Sequence, residues 1–304
     1  MNTEQPSPRY SDIDIWEPLD VLDAMIEGQF AAVAAVRAVR PALLGAANAM
    51  ELRLREGGRL VYAGAGTSGR LAVQDGAELM PTFGWPSDRL LLFMAGGGDA
   101  MVRAAEGAED EIEQAVEQVR RDALSPKDVL IAVAASGRTP FTLACLREAK
   151  RAGAATIGVA NNPETPLLVE ADHPIYLATG PEPIAGSTRM NAGTAQRIAL
   201  SLLSSLVMIR LGRVYRGLMV DVRPSNAKLI DRQERILVQL SNRSREDVRS
   251  ALLQADGSVK LALMLLEGCA LDEARQALER TGGQLRQAMA LIAEPYGGAE
   301  DGTP

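Results

Sequence analysis

The chain holds one histidine, two cysteines and four lysines in 304 residues. Each scarcity excludes something. A single imidazole, His173, cannot build a histidine zinc centre, and it stands at the start of an apparent strand, where a structural role suffices. Cys145 and Cys269 lie far apart in apolar helical surroundings, which gives neither a thiolate cluster nor a disulfide framework. No metal site is expected. Lysine stands only at positions 127, 150, 228 and 260, so the basic charge is nearly all arginine, and acidic residues outnumber basic ones, 39 against 32. A net charge of −7 and a pI near 5.0 argue against a nucleic-acid partner, which needs a broad positive face. A small phosphorylated metabolite needs only a local one. Aromatic residues make up 4% of the chain, and Trp16 and Trp85 read as packing residues rather than stacking platforms. The sequence also lacks a basic-then-apolar leader and any apolar stretch of membrane-spanning length. These absences predict a soluble, cytoplasmic protein with no membrane partner.

What is present is enough apolar material, 47% of residues, to bury a large core in one large or two unequal domains. Residues 1–15 are polar and read as an extended strap. Leu19, Leu22, Met25, Ile26, Phe30, Val33, Val36 and Val39 recur at helical spacing, Pro41 is expected to bend or divide the second helix, and Gly57-Gly58 ends it. Continuous apolar runs at 59–63, 90–94, 129–133, 155–159 and 174–177 alternate with helical stretches, the pattern of a parallel sheet covered on both faces. Asp99 is placed to cap a long acidic helix reaching Ala123. A loop over 178–187 leads into a helix over 188–211. Beyond Tyr215 only the short Leu218–Val220 reads as strand, and helical segments follow at 226–240, 244–255, 258–267, 271–280 and 283–293, with a frayed tail from Glu300 to Pro304. The domain boundaries predicted are 1–56 for an arm and covering helices, 57–216 for the α/β domain, 217–240 for a connecting segment, and 241–298 for a small helical domain.

The first βα junction carries the chemistry. Leu60-Val61-Tyr62-Ala63 runs into Gly64-Ala65-Gly66-Thr67-Ser68-Gly69-Arg70, a strand delivering a glycine-rich turn to a helix N-terminus. The Gly64-x-Gly66-x-x-Gly69 spacing also suits a dinucleotide. That fold places an acid at the end of the second strand to grip the ribose. Here that strand ends Phe93-Met94-Ala95-Gly96, and Asp88 precedes it at the wrong edge. A compact phosphate fits better, because the third strand also feeds a hydroxyl-bearing turn, Ser136-Gly137-Arg138-Thr139. Thr67, Ser68, Ser136 and Thr139, with backbone N–H groups, can surround one anion without a metal. For either turn alone, helix capping by these hydroxyls explains the residues as well.

The two turns resemble those of the SIS (sugar isomerase) domain. Further motifs resemble the bacterial N-acetylmuramic acid 6-phosphate etherase family: Glu78-Leu79-Met80-Pro81-Thr82-Phe83-Gly84, Gly107-Ala108-Glu109-Asp110, the signature from Thr179 to Gln196, Gly212–Asp221 and Ala270–Leu285. The resemblance implies an SIS-type parallel sheet flanked by helices, with N-terminal helices and a small UBA-like C-terminal domain. It implies a cofactor-independent lyase, acting as a homodimer with sites near the subunit interface, that cleaves the D-lactyl ether of N-acetylmuramic acid 6-phosphate in peptidoglycan amino-sugar recycling. Glu78, at the end of the helix that starts at the phosphate turn, is then the acid that protonates the departing lactyl oxygen, and Glu109 is the candidate base. Gly66, Thr67, Ser68, Ser136, Gly137, Arg138, Thr139, Glu182 and Ser187 become the phosphate and sugar contacts. On spacing alone Glu78 is a helix-end carboxylate, and Glu109 belongs to a solvated acidic face with Glu106 and Asp110. Arg70, Arg138 and Arg189 suit an anion or a neighbouring carboxylate equally. The family usually carries Cys-Pro in place of Leu79-Met80 and a lysine in place of Asn191. Glucokinase regulatory proteins share the signature without the etherase activity, so a non-catalytic sugar-phosphate binder is one alternative and an aldose–ketose phosphate isomerase another.

Overall fold

The computed structural model of the chain describes residues 1–103, 105, 107–224 and 227–293. The face predicted to join Glu106 to Glu109, and the tail from Glu300 to Pro304, lie outside the described residues. Within them the chain forms two compact units: one comprises Met1–Glu78 and Pro86–Val207, the other Leu79–Trp85 and the chain from Met208 onward.

In chain order, single 3-10 turns at Asn2–Glu4, Pro8–Tyr10 and Ile13–Ile15 lead to α1 (Pro18–Ala38) and α2 (Arg40–Arg55). Pro41 sits in the first turn of α2, and the two helices bend by 58° where they meet. There follow β1 (Leu60–Gly64), α3 (Gly66–Ala77), α4 (Leu79–Phe83), β2 (Leu90–Met94), α5 (Ile112–Arg121), β3 (Val129–Val133), α6 (Pro140–Arg151), β4 (Ala155–Ala160), α7 (Pro166–Glu170), β5 (His173–Tyr176) and α8 (Asn191–Arg210). The second unit continues with β6 (Val214–Tyr215), β7 (Leu218–Met219), α9 (Ala227–Ser241), α10 (Arg245–Gln254), α11 (Val259–Leu266), α12 (Leu271–Arg280) and α13 (Leu285–Ala293).

The sheet is parallel throughout, in the order β2-β1-β3-β4-β5. Alternation along β1 assigns its faces. Val61 and Ala63 join Leu130, Ala132, Phe141 and Leu146 in the core beneath α5 and α6, while Tyr62 faces α3 on the other side. Two glycines let α3 sit close on β1. A Cβ at Gly69 would lie 2.4 Å from the Met94 sulfur and 2.7 Å from the Gly64 carbonyl oxygen. A Cβ at Gly64 would lie 2.8 Å from the Gly69 Cα. The dinucleotide-like spacing therefore has a packing cause, whatever the ligand. Behind this junction Tyr62 donates to buried Asp75 (2.7 Å), as does Ser204 of α8 (3.3 Å), and burial raises the Asp75 carboxyl above its ordinary value.

Three expectations are corrected. Residues 1–15 are not an extended strap but carry three short 3-10 turns. The acidic stretch after Asp99 is not one long helix: short 3-10 turns stand at Gly98–Met101 and Ala108–Asp110, and α5 begins only at Ile112. Gly107, at φ +75°, takes the left-handed conformation that ends regular winding there, so Glu109 lies in a tight turn rather than a helix interior. Among the described residues one helix, α8, is long and apolar enough by length and composition to cross a membrane, its most apolar stretch having mean hydropathy 1.3, although 56% of that stretch is buried within the protein. It carries Gln196, Arg197 and Ser204, which face polar partners inside the fold.

In the second unit α4 and the residues after it are held by the last third of the chain. Arg213 donates to the Phe83 and Gly84 carbonyls (2.8 and 2.9 Å) and lies 5.0 Å over the buried Trp85 ring. Buried Lys260 donates to Asp221 (2.6 Å) and to the Gly283 carbonyl (2.8 Å); burial lowers its ammonium pKa while Asp221 opposes the shift. A separate apolar core gathers Leu229, Ile236, Leu237, Val248, Leu263 and Leu285.

Candidate active site

The strand order reverses direction between β1 and β3, which lie side by side with Gly64 opposite Val133. In an open parallel sheet the crevice at such a switch point, beyond the carboxyl ends of the strands, is where ligands sit. Both glycine–hydroxyl turns open from this edge. The structure therefore brings the Gly66–Ser68 and Ser136–Thr139 turns together, as their positions after the first and third strands imply.

Neither turn spends its hydroxyls on conventional capping. Ala65 is the N-cap of α3 and provides no side-chain bond, and Gly69 makes the first bond back, to the Ala65 carbonyl (2.9 Å). The N–H groups of Gly66, Thr67 and Ser68 precede it at the positive end of the helix. Gly66 has φ +53°, which turns the chain sharply there. In the second turn Thr139 is the N-cap of α6 without a side-chain cap bond. Ser136 Oγ instead accepts from the Arg138 amide (3.2 Å) and lies 3.4 Å from Thr139 Oγ1, and Gly137, at φ +63°, packs on Thr165. Hydroxyls and amides at two adjacent helix starts are groups of the kind that can cradle an anion.

Glu109 reaches this cradle. A Cβ at Gly66 would lie 3.1 Å from Glu109 Oε1, so the carboxylate rests on the glycine that opens α3. Glu78 does not. It is the C-cap of the same helix, which at 1.5 Å per residue sets it about 18 Å along the axis from Gly66. Both carboxylates are exposed in the single chain. The signature loop borders the first turn: Thr67 and the Thr188 carbonyl both pack against Gly193. Ser187, half-buried, lies in that loop. Glu182 is fully buried and accepts from the amides of Asn191 and Ala192 (both 2.8 Å), closing the N-terminus of α8. Burial raises its carboxyl above the ordinary value, against the pull of those amides.

Of the arginines weighed as anion contacts, Arg70 donates to the Ala100 and Arg103 carbonyls (2.8 and 3.1 Å), which fixes the turn after β2, while Arg138 and Arg189 are exposed. Asn191 receives a bond from Gln29 of α1 (3.1 Å) and packs on Gly28, where a Cβ would fall 2.4 Å from its Oδ1. That side chain is engaged in docking α1. Sequence reading passed over Asn161 and Asn162, although residues directly after a parallel strand are placed at the functional edge. Asn162 donates to the Ala135 carbonyl (2.9 Å), just before the second turn, and Gln196 donates to Asn161 (2.8 Å). Among the described residues no three histidines, cysteines or carboxylates are grouped to hold a metal.

Residues 110–206 match the SIS domain, and residues 44–150 match the glucokinase regulatory protein N-terminal SIS domain. The chain is 50% identical over 288 residues to an N-acetylmuramic acid 6-phosphate etherase of Deinococcus radiodurans, covering 94% of each chain. It is 41% identical over 290 residues to the protein of that name from Mycolicibacterium smegmatis, covering 95% of this chain and 97% of the other. With the Mesorhizobium japonicum etherase the identity is 40% over 288 residues, 94% of each.

Proposed function

We infer that this chain, which belongs to the N-acetylmuramic acid 6-phosphate etherase family, is a carbon–oxygen lyase that splits N-acetylmuramic acid 6-phosphate into N-acetylglucosamine 6-phosphate and D-lactate in amino-sugar recycling. The observation that carries the reading is the paired cradle at the β1–β3 switch point with the Glu109 carboxylate resting on Gly66. Thr67, Ser68, Ser136 and Thr139 hold the phosphate, Gly66, Gly137 and Arg138 shape that turn pair, and Ser187 with the Glu182-capped loop borders the sugar. In the open-chain sugar the C1 aldehyde acidifies the C2 proton. Glu109 removes it, a carboxylic acid gives a proton to the leaving lactyl oxygen, and the C3–O bond breaks. Water then adds across the C2–C3 double bond, hydroxyl to C3 and proton to C2. Proton transfers and water balance the whole sequence. A sugar phosphate is too strongly charged to cross a bilayer unaided, which suits a cytoplasmic reaction.

Two carboxylates working on adjacent carbons must stand within several ångströms of one another, and α3 keeps Glu78 and Glu109 at opposite ends. We therefore read the working site as shared in a homodimer: Glu109 and the cradle from one protomer, the partner subunit's Glu78 as acid. An exposed apolar stripe on α1, Leu19, Leu22, Ile26, Phe30 and Val33, supports the dimer, since a monomer rarely leaves such a run uncovered.

The test follows D-lactate release from N-acetylmuramic acid 6-phosphate. Glu78→Gln and Glu109→Gln proteins should each be nearly inactive, and mixing them through a dissociation step should restore about a quarter of the wild-type rate, since half the dimers are mixed and each has one intact site. No recovery would defeat the shared site. Tight binding of the sugar phosphate with no lactate from the wild type would turn the reading toward a non-catalytic binder, the kind of protein named by the match over residues 44–150.

A further inference from the structure

Residues Asn2–Glu4 form a single 3-10 turn in which Thr3 is fully buried although its neighbours are exposed. Three hydrogen bonds hold it. Asn162 Nδ2 donates to Thr3 Oγ1 (2.9 Å), the Thr3 amide donates to Asn162 Oδ1 (3.4 Å), and the Gly186 amide donates to the Thr3 carbonyl (2.9 Å). The same Asn162 amide group donates to the Ala135 carbonyl (2.9 Å), so Thr3 ties the residue before the Ser136 turn to the loop that carries Ser187. Buried polar groups satisfied from both sides hold their register firmly, because misplacing any one strands the rest.

Pinning Thr3 fixes the residue after it. The Glu4 carboxylate lies against Gly186, where a Cβ would fall 2.9 Å from Glu4 Oε2, and Gly186 adopts φ +77°. A carboxylate thus fills the space of a side chain one residue from Ser187. Glu4 is exposed, and among the described residues no salt bridge engages it. The elimination chemistry has no use for it. Beside Ser187, which borders the sugar in the proposed site, a carboxylate is an acceptor for the N–H and O–H donors of the sugar.

We propose that Glu4 is a specificity-determining residue of the site, accepting a hydrogen bond from a donor group of the amino sugar and held in place by Thr3. The proposal rests on the etherase reading for its substrate and for Ser187 as a sugar contact, while the position of Glu4 against Gly186 stands apart from that reading. In the full chain, Glu4→Ala should raise KM for N-acetylmuramic acid 6-phosphate about tenfold or more, the range for a hydrogen bond to a charged group, with kcat changed much less. The competitive inhibition constant of inorganic phosphate and the melting temperature should stay put. Glu4→Gln should fall between, and Thr3→Val should move KM in the same direction. An unchanged KM in Glu4→Ala overturns the proposal. So does a parallel rise in KM and in the phosphate constant, which would make residues 3 and 4 a support for the loops alone. Should the wild type release no lactate, the etherase reading has failed on its own. Calorimetry then carries the test: Glu4→Ala must weaken N-acetylglucosamine 6-phosphate and spare inorganic phosphate, or the proposal falls.

Discussion

Asp128 stands at the amino ends of the strands, at the edge opposite the cradle, and gathers the Arg59 amide (2.8 Å), Arg59 Nη2 (2.8 Å), the Ser125 amide (2.8 Å) and Ser125 Oγ (3.1 Å). Burial alone would push its carboxyl up, but the arginine and the amides outweigh it and hold the pKa below the ordinary 3.8. A depressed folded-state value means stability that is present above the unfolded value and lost as pH falls through the folded one. Asp128→Asn should therefore cost about 3 kcal/mol near neutrality, as breaking a buried ion pair does, with the deficit shrinking once the pH drops below about 4. Urea midpoints measured across pH decide it, and kcat per folded molecule should not move, since the residue lies at the far edge of the sheet. A deficit equal at pH 3 and pH 7 would contradict the assignment.

At the scale of elements, the junction of β1 and α3 shows how the site depends on close packing. Gly69→Ala would drive a methyl into the Met94 sulfur and the Gly64 carbonyl, so α3 must shift and carry its N–H groups away from the proposed phosphate position. The expected outcome is a raised KM together with a loss of about 1–3 kcal/mol, the usual cost of overpacking; an unchanged inhibition constant for inorganic phosphate would count against the cradle. This junction was legible in the sequence because apolar runs bounded by glycine leave few readings. The strands at 90–94 and 129–133 were read to the residue for the same reason. Legibility failed where composition and geometry part. The stretch from Asp99 is acidic and helix-like in content, yet Gly107 and the 3-10 turn Ala108–Asp110 hold Glu109 against Gly66. Charge along the chain could mark Glu109 only as one acid among several. The buried cap made by Glu182 and the anchoring of Thr3 depend on partners distant in sequence, which no local pattern reveals. The distance between Glu78 and Glu109 was legible in part: helix length gives the span of α3, but only the folded turn shows at which end Glu109 lies.

For the whole molecule the exposed α1 stripe makes the clearest demand. Introducing Ile26→Glu on that face should yield monomers by light scattering, with lactate release lost while far-ultraviolet circular dichroism is kept, because charge in the centre of an apolar contact is uncompensated. An active monomer would refute the shared site. The grip of Arg213 on the Phe83 and Gly84 carbonyls has a different kind of consequence. Leu79–Trp85 leaves the ribosome long before its packing partners from Met208 onward exist. A nascent chain that ends before Met208 lacks the Arg213 contact over the Trp85 ring, while strands β2 to β5 are already complete. Nascent chains paused before Met208 should then present this short segment to chaperones, and the last stretch synthesised is what withdraws it.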